Sequence, residues 1–242
     1  MPLARRDGPG TERLLRSVGI ARGMRIADIG CGVGTVSLWM ASQVGPSGAV
    51  ACIDNSHEQI ESARRIAQEC GQSNLTFLVA SADAVNLPDA SLDIVYCRFL
   101  LDHLPHPEAA LAEMRRLLRP QGALVTETID LSGLATDPHD PAYDQEIRHM
   151  REVNAKRGVD GASGMKVHRL FRNAGFGNIQ VSLHQPAYLS GEEKRFWEYS
   201  VAESAAAFVA RGFYTEEEMT LRVQAMQRVN LDETGAMIES CV

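Results

Sequence analysis

A chain of 242 residues, 45% hydrophobic and 23% charged, carries enough apolar side chains for one α/β core with insertions. Its formal charge of −7, from 24 basic and 31 acidic residues, disfavours a large nucleic-acid or anionic-membrane surface. Five scattered cysteines (31, 52, 70, 97 and 241), with no CxxC pair, argue against a disulfide framework or a zinc site. Arg5 and Arg6 lead into Asp-Gly-Pro-Gly rather than an apolar signal core, and no apolar run approaches a membrane span, so a cytoplasmic protein is expected.

In chain order, "MRIADIG" (24–30) and "GAVACID" (48–54) are short β-branched runs that end in Gly or Asp. Between them, Val36, Trp39, Met40 and Val44 recur at helical spacing and close on Gly45. "SHEQIESARRIAQECG" predicts a helix with Ile60, Ala63 and Ala67 on one face and Gly71 past its end. "LTFLVA" (75–80) and "LDIVYC" (92–97) are the third and fourth strands. "HPEAALAEMRRLLRPQG" predicts a helix that starts near Pro107 and stops at Pro120–Gly122, followed by a fifth strand, "ALVTETID" (123–130). Apolar strands alternating with helices at this spacing read as parallel strands in a doubly wound sheet, covered on both faces.

After residue 130 the alternation breaks. Asp140 as N-cap, Pro141 at the first helical position and a Lys156-Arg157-Gly158 ending predict a helix. "SGMKVHRLFRNAGFGNIQVSL" predicts a helix, a stop at Gly175 and a strand, and two more helices open with capping boxes, Ser190/Glu193 and Thr215/Glu218. "GAMIESCV" (235–242) is expected as a last strand. No repeat or clean linker separates these parts. One domain over 1–242 is therefore expected, with helical lid insertions at about 131–162 and 186–232.

The loop "ADIGCGVGT" (27–35) decides the ligand class. Gly30 and Gly32 match the first two glycines of a dinucleotide GxGxxG turn, but the third falls at Gly34, leaving Thr35 where that pattern needs glycine. An acid, Asp28, stands two residues before Gly30. This loop resembles motif I, (D/E)xGxGxG, of the class I S-adenosylmethionine-dependent methyltransferases. Over about residues 11–184 the chain is similar to the small-molecule branch of that family: "ACID", "ASADAVNLPDASLDIVYC", "LLDHLPHPEAALAEMRRLLRPQGALVTET" and "LFRNAGFGNIQV" arrive in the family's order.

The resemblance implies a Rossmann-like, seven-stranded, mostly parallel sheet of order 3-2-1-4-5-7-6, and S-adenosylmethionine as cofactor with S-adenosylhomocysteine as product. It implies that Gly30, Cys31, Gly32 and Gly34 approach the methionine portion and that Asp28 acts on its ammonium side. Asp54, with Asn55 beside it, would take the ribose hydroxyls. Asp83, flanked by Ala82 and Ala84, would take the adenine amine, and Cys97 and Arg98, with Phe99, would offer main chain to the methionine end. Each assignment competes with a plain structural one: a buried Asp bonding loop amides at 28, a turn or cap Asp at 54, a surface turn at 83.

For chemistry, His103 in "LLDHLPHP" is the candidate general base, against a structural or cofactor-lining histidine. Asp102 would orient it or cap a turn. Pro105 interrupts the helix that would align His103 with His106, so no metal site is expected. His139, Tyr143 and Trp197 are the acceptor-side candidates, although Tyr143 also fits packing. The aromatics of the late helices suit an apolar acceptor pocket or, equally, a core or homodimer contact, and His149 reads as a solvated helix residue. "CRFL" after the fourth strand replaces the (D/N)PP(Y/F) tetrad of DNA aminomethylating enzymes. The expected activity is methylation of a small, partly apolar acceptor in secondary metabolism, with oxygen slightly ahead of nitrogen or carbon. The alternatives are a protein of this fold with other chemistry, and a nicotinamide-dependent oxidoreductase, which Thr35 argues against.

Overall fold

The computed structural model describes residues 8–159, 164–231 and 235–238. Helix α1 (Gly8–Ser17) precedes strand β1 (Arg25–Ile29), and α2 (Thr35–Val44) returns the chain to β2 (Ala49–Asp54). Helix α3 (His57–Glu69) leads to β3 (Leu75–Val79), a loop to β4 (Leu92–Arg98), and α4 (Pro107–Leu117) to β5 (Leu118–Glu127). The strands form one parallel sheet of order β3-β2-β1-β4-β5. All five C-terminal ends therefore lie along one edge, where ligands bind in open α/β sheets.

The apolar periods account for this packing. Met40 and Val44 of α2 are fully buried with Leu15, Ile26, Val50, Ile94 and Tyr96. Ile60, Ala63 and Ala67 form the buried face of α3, whose N-cap Ser56 accepts from the Gln59 N–H at 3.3 Å. Helix α4 starts at Pro107 as predicted, but Pro120 and Gly122 do not end it. They lie within β5, which shifts register against β4 between Leu92 and Ile94. An end strand with such an irregularity tolerates proline because its missing N–H takes no ladder bond.

The sheet departs from the seven-strand expectation. Residues 177–183, "GNIQVSL", form no strand, and Val181 and Leu183 are more than half exposed. The "GAMIESCV" strand is reduced to Ala236–Ile238, and residues 239–242 lie outside the described ones. It joins a separate antiparallel sheet, β6 (Ala135–Asp137), β8 (Ala236–Ile238), β7 (Ala187–Tyr188), in the order β6-β8-β7. Met237 explains this pairing: it is 1% exposed within the apolar cluster of the later helices, whereas the 177–183 segment buries no comparable side chain.

The chain divides into two compact units. One holds the parallel sheet and comprises the described residues of Asp7–Thr128 and Lys166–Val181, including α6 (Val167–Asn173). The other comprises those of Ile129–Met165 and Ser182–Val242, the stretches expected as insertions. Its helices are α5 (Pro141–Lys156), α7 (Phe196–Ala210) and α8 (Glu216–Leu231). Asp140 caps α5 by accepting from the N–H groups of Ala142 (2.7 Å) and Tyr143 (3.3 Å). The Thr215/Glu218 box forms: Thr215 N–H donates to the Glu218 carboxylate at 2.7 Å and Glu218 N–H to the Thr215 hydroxyl at 3.2 Å. Ser190/Glu193 opens a turn instead, since α7 begins at Phe196. Among the described residues no helix is long and apolar enough to cross a membrane.

Candidate functional site

The loop from β1 to α2 is held by its own backbone. Gly30 N–H and Cys31 N–H both donate to the Ile53 carbonyl, at 2.8 and 3.0 Å, and Gly34 N–H to the Cys31 carbonyl at 2.9 Å. Gly34 has φ 77°, and a Cβ there would stand 3.1 Å from the Ala63 methyl of α3. Gly34→Ala is therefore expected to cost roughly 1–3 kcal/mol, from the left-handed backbone and the contact together. Urea unfolding of the two proteins measures it, and equal midpoints would contradict it. Gly32 differs: a Cβ there would meet only the Gln59 side-chain oxygen, at 3.9 Å. Its Cβ position is uncrowded, so a ligand can approach the backbone closely there.

Asp54 ends β2 and ties the site together. One carboxylate oxygen accepts from Gly32 N–H at 3.0 Å and the other from Ser56 N–H at 2.9 Å. A carboxylate offers about four acceptor positions, so two remain for ligand hydroxyls. The neighbouring Asn55 is exposed. The Cys31 thiol is pushed upward by its hydrogen bond with Cys52 and by burial, and so stays protonated.

Asp28 lies within β1, 2% exposed, accepting from the Ser37 hydroxyl at 2.5 Å. Burial raises its carboxyl to about 6, opposed by the Ser37 hydrogen bond and the Arg98 charge. Cys97 and Arg98 close β4 opposite Thr126 and Glu127. Cys97 is buried, which pushes its thiol up, and the Arg98 guanidinium stacks on the Phe99 ring at 5.3 Å. Phe99 itself has φ 52°, strained for an aromatic residue, and its N–H donates to the Glu127 carbonyl at 2.8 Å.

Sequence reasoning misses Glu127, the last residue of β5. Its carboxylate accepts from the Tyr96 hydroxyl at 2.5 Å and from the Thr11 hydroxyl of α1 at 2.8 Å. The available signal was an acid at a strand's C-terminal end, the same one that marks Asp54. Ala82, Asp83 and Ala84 form a turn after β3, with Asp83 exposed and Ala84 N–H bonded to the Ser81 carbonyl at 3.1 Å.

His103 is exposed at the end of a 3-10 turn, Leu101–His103, whose Asp102 is buried. His106 is exposed just before α4. Among the described residues no group of three or more His, Cys, Asp or Glu is placed to hold a metal ion. His139, Tyr143 and Trp197 belong to the helical unit. His139 is exposed and bonded to Asp144 at 2.6 Å, while Tyr143 and Trp197 are 1% and 3% exposed inside its apolar cluster. His149 is half-buried rather than solvated, 3.1 Å from Arg222 on the wall of a cavity of about 430 Å³. There Arg222 pairs with buried Glu146 at 2.5 Å and covers the Tyr214 ring at 3.9 Å.

Residues 20–175 match a family described as a methyltransferase domain. Methyltransferase GfsG of Streptomyces halstedii is 33% identical over 139 residues, 56% of this chain and 49% of that one. The demethylmenaquinone methyltransferase of Listeria welshimeri is 31% identical over 194 residues, covering 72% of this chain and 78% of the relative. In fold, the YcgJ protein of Bacillus subtilis aligns with a TM-score of 0.62 at 18% identity, over 95% of this chain and 94% of that one. The chain spans about half the length of several curated relatives, 49% for GfsG and 42% for a 37.1 kDa protein of a Streptomyces fradiae transposon.

Proposed function

Since the chain belongs to the class I S-adenosylmethionine (SAM)-dependent methyltransferases, with SAM as cofactor, we propose that it methylates a small, partly apolar acceptor. Oxygen is the favoured acceptor atom, ahead of nitrogen or carbon, and secondary metabolism in the cytoplasm is the setting. The observation that carries this reading is the Asp54 carboxylate bonded to Gly32 N–H, at the C-terminal edge of the sheet and beside the uncrowded Cβ position of Gly32. The name of GfsG supports methyl transfer, and that of the Listeria demethylmenaquinone enzyme a small organic acceptor.

Bound SAM would supply a methyl group on a positively charged sulfonium, whose sulfur leaves as a neutral thioether. The chain's own task is placement and exclusion of water, worth roughly 7–11 kcal/mol when the reacting atoms are aligned. In this reading Gly30, Cys31, Gly32 and Gly34 receive the methionine portion with the main chain of Cys97 and Arg98. Asp28 acts on its ammonium side, Asp54 takes the ribose hydroxyls and Asp83 the adenine amine. His103, exposed after β4, takes the acceptor proton. His139 is the acceptor-binding candidate of this reading, while Tyr143 and Trp197 pack inside the helical unit.

A mass-spectrometric screen of pooled acceptors with methyl-labelled SAM tests the proposal. A labelled product with stoichiometric S-adenosylhomocysteine is expected; a chain that binds NAD(P) but neither SAM nor S-adenosylhomocysteine would sink it. With an accepted hydroxyl substrate, His103→Ala should slow turnover by on the order of 10²–10⁴-fold with little change in cofactor affinity. Full turnover in that variant would remove His103 as the base.

A further inference from the structure

The loop that carries Asp83 is fastened to α4 by two side chains that neither the motif nor the proposed chemistry uses. Glu113 accepts the Val85 N–H at 2.7 Å. Arg116 donates to the Val85 carbonyl at 3.0 Å and to the Leu87 carbonyl at 3.0 Å. The two side chains are also locked to each other, Arg116 Nε to one Glu113 oxygen at 2.7 Å and Nη2 to the other at 2.8 Å. Arg116 further pairs with Asp89, at the far end of the same loop. Both backbone polar groups of Val85, itself 3% exposed, are thus satisfied by one interlocked fork.

The loop has no other comparable brace among the described residues. Around Asp83 its backbone bonds are short-range: Ala84 N–H to Ser81 and Leu87 N–H to Val85. Its ends are pinned by Ala80 N–H on Asp54 and by Ala90 and Ser91 N–H on Arg116 and Leu117. Between those pins, the fork together with the burial of the Val85 side chain sets where residue 85, and hence the carboxylate two residues earlier, stands. A planar guanidinium paired with a carboxylate suits this task because its donors are fixed in direction.

We propose that Glu113 and Arg116 are positioning residues for adenine recognition, holding the 83–87 turn so that Asp83 meets the exocyclic amine at a fixed place. This rests on the assignment of Asp83 to the adenine amine. The consequence is selective: loosening the fork should erode discrimination at the adenine edge more than it erodes binding of the rest of the ligand. A site built around a donor on the ligand rejects the analogue that lacks it only while its acceptor is held in place.

The test is titration calorimetry with two ligands, S-adenosylhomocysteine and S-inosylhomocysteine, in which an oxo group replaces the amine. Wild type is expected to prefer the adenine ligand by about tenfold or more, the loss of one charge-assisted hydrogen bond. Glu113→Ala and Arg116→Ala should each reduce that preference severalfold, whereas Glu113→Gln, which keeps an acceptor for Val85 N–H, should retain most of it. A variant that is only partly folded weakens both ligands by the same factor, so the ratio remains readable. If wild type prefers the adenine ligand and both alanine variants keep the full preference, Glu113 and Arg116 do not position the turn. If wild type fails to distinguish the ligands, the Asp83 assignment falls first, and the inference falls with it.

Discussion

Asp54→Ala is expected to weaken S-adenosylhomocysteine binding by roughly 100-fold or more, measured by titration calorimetry. Each hydrogen bond to a charged group contributes about 1.5–3 kcal/mol, and about 1.4 kcal/mol is a factor of ten in affinity. The substitution removes such bonds on two sides. The Gly32 and Ser56 N–H groups lose the acceptor that shapes the loop, and in the proposed assignment the ribose hydroxyls lose theirs. Asp54→Asn should fall between the two proteins, because an amide keeps one acceptor oxygen but turns a donor toward either Gly32 or Ser56. Unchanged affinity in the alanine variant would overturn the ribose assignment.

The second large effect concerns Asp28 and is a dependence on pH. A carboxyl raised from 3.8 to about 6 by burial is neutral in the folded chain at a pH where the unfolded chain has already lost the proton. Between those values the folded state binds more protons, so this group's contribution to stability falls as pH rises. Above pH 6 the penalty is constant, at about 3 kcal/mol before cofactor binds. Asp28→Asn has no proton to lose, and its carbonyl can still accept from the Ser37 hydroxyl. The stability of Asp28→Asn minus that of wild type, from urea unfolding without cofactor, should therefore rise by roughly 2–3 kcal/mol between pH 4 and pH 7. Parallel curves would show that Asp28 ionises as it does in the unfolded chain. If Asp28 acts on the ammonium side as proposed, cofactor affinity should move the other way, dropping about tenfold at pH 8 in Asp28→Asn as that charge disappears. A buried charge that costs stability in the empty protein and strengthens cofactor binding is the trade expected of a functional carboxylate.

The readable features were those governed by neighbours in the chain. The 3.6-residue period placed Ile60, Ala63 and Ala67 on the inner face of α3, and Asp140 and Thr215 announced their helix starts through bonds to N–H groups two or three residues on. Motif I was legible for the same reason, since its three glycines all take left-handed φ, a region that residues with a Cβ rarely enter. Features that depend on distant partners were not. Nothing near Glu127 announces Thr11, 116 positions away, and nothing in "AEMRR" announces the Val85 peptide that Glu113 and Arg116 hold. The 177–183 segment has the composition of a strand but finds no ladder partner among the described residues, because a ladder needs a second chain segment as well as a first.

Taken as a string, the chain commits five apolar strands and their crossover helices to a parallel sheet, and places a glycine turn and an acid at the ends of the first two. Short-range sterics and periodicity suffice for that. Folding decides the rest: that Asp54 braces Gly32 from a neighbouring strand, that Asp28 is buried deeply enough to hold its proton to about pH 6, and that the last described strand pairs within the helical unit rather than in the main sheet. Each of these depends on desolvation or through-space pairing, and both are properties of neighbours that only the folded chain brings together.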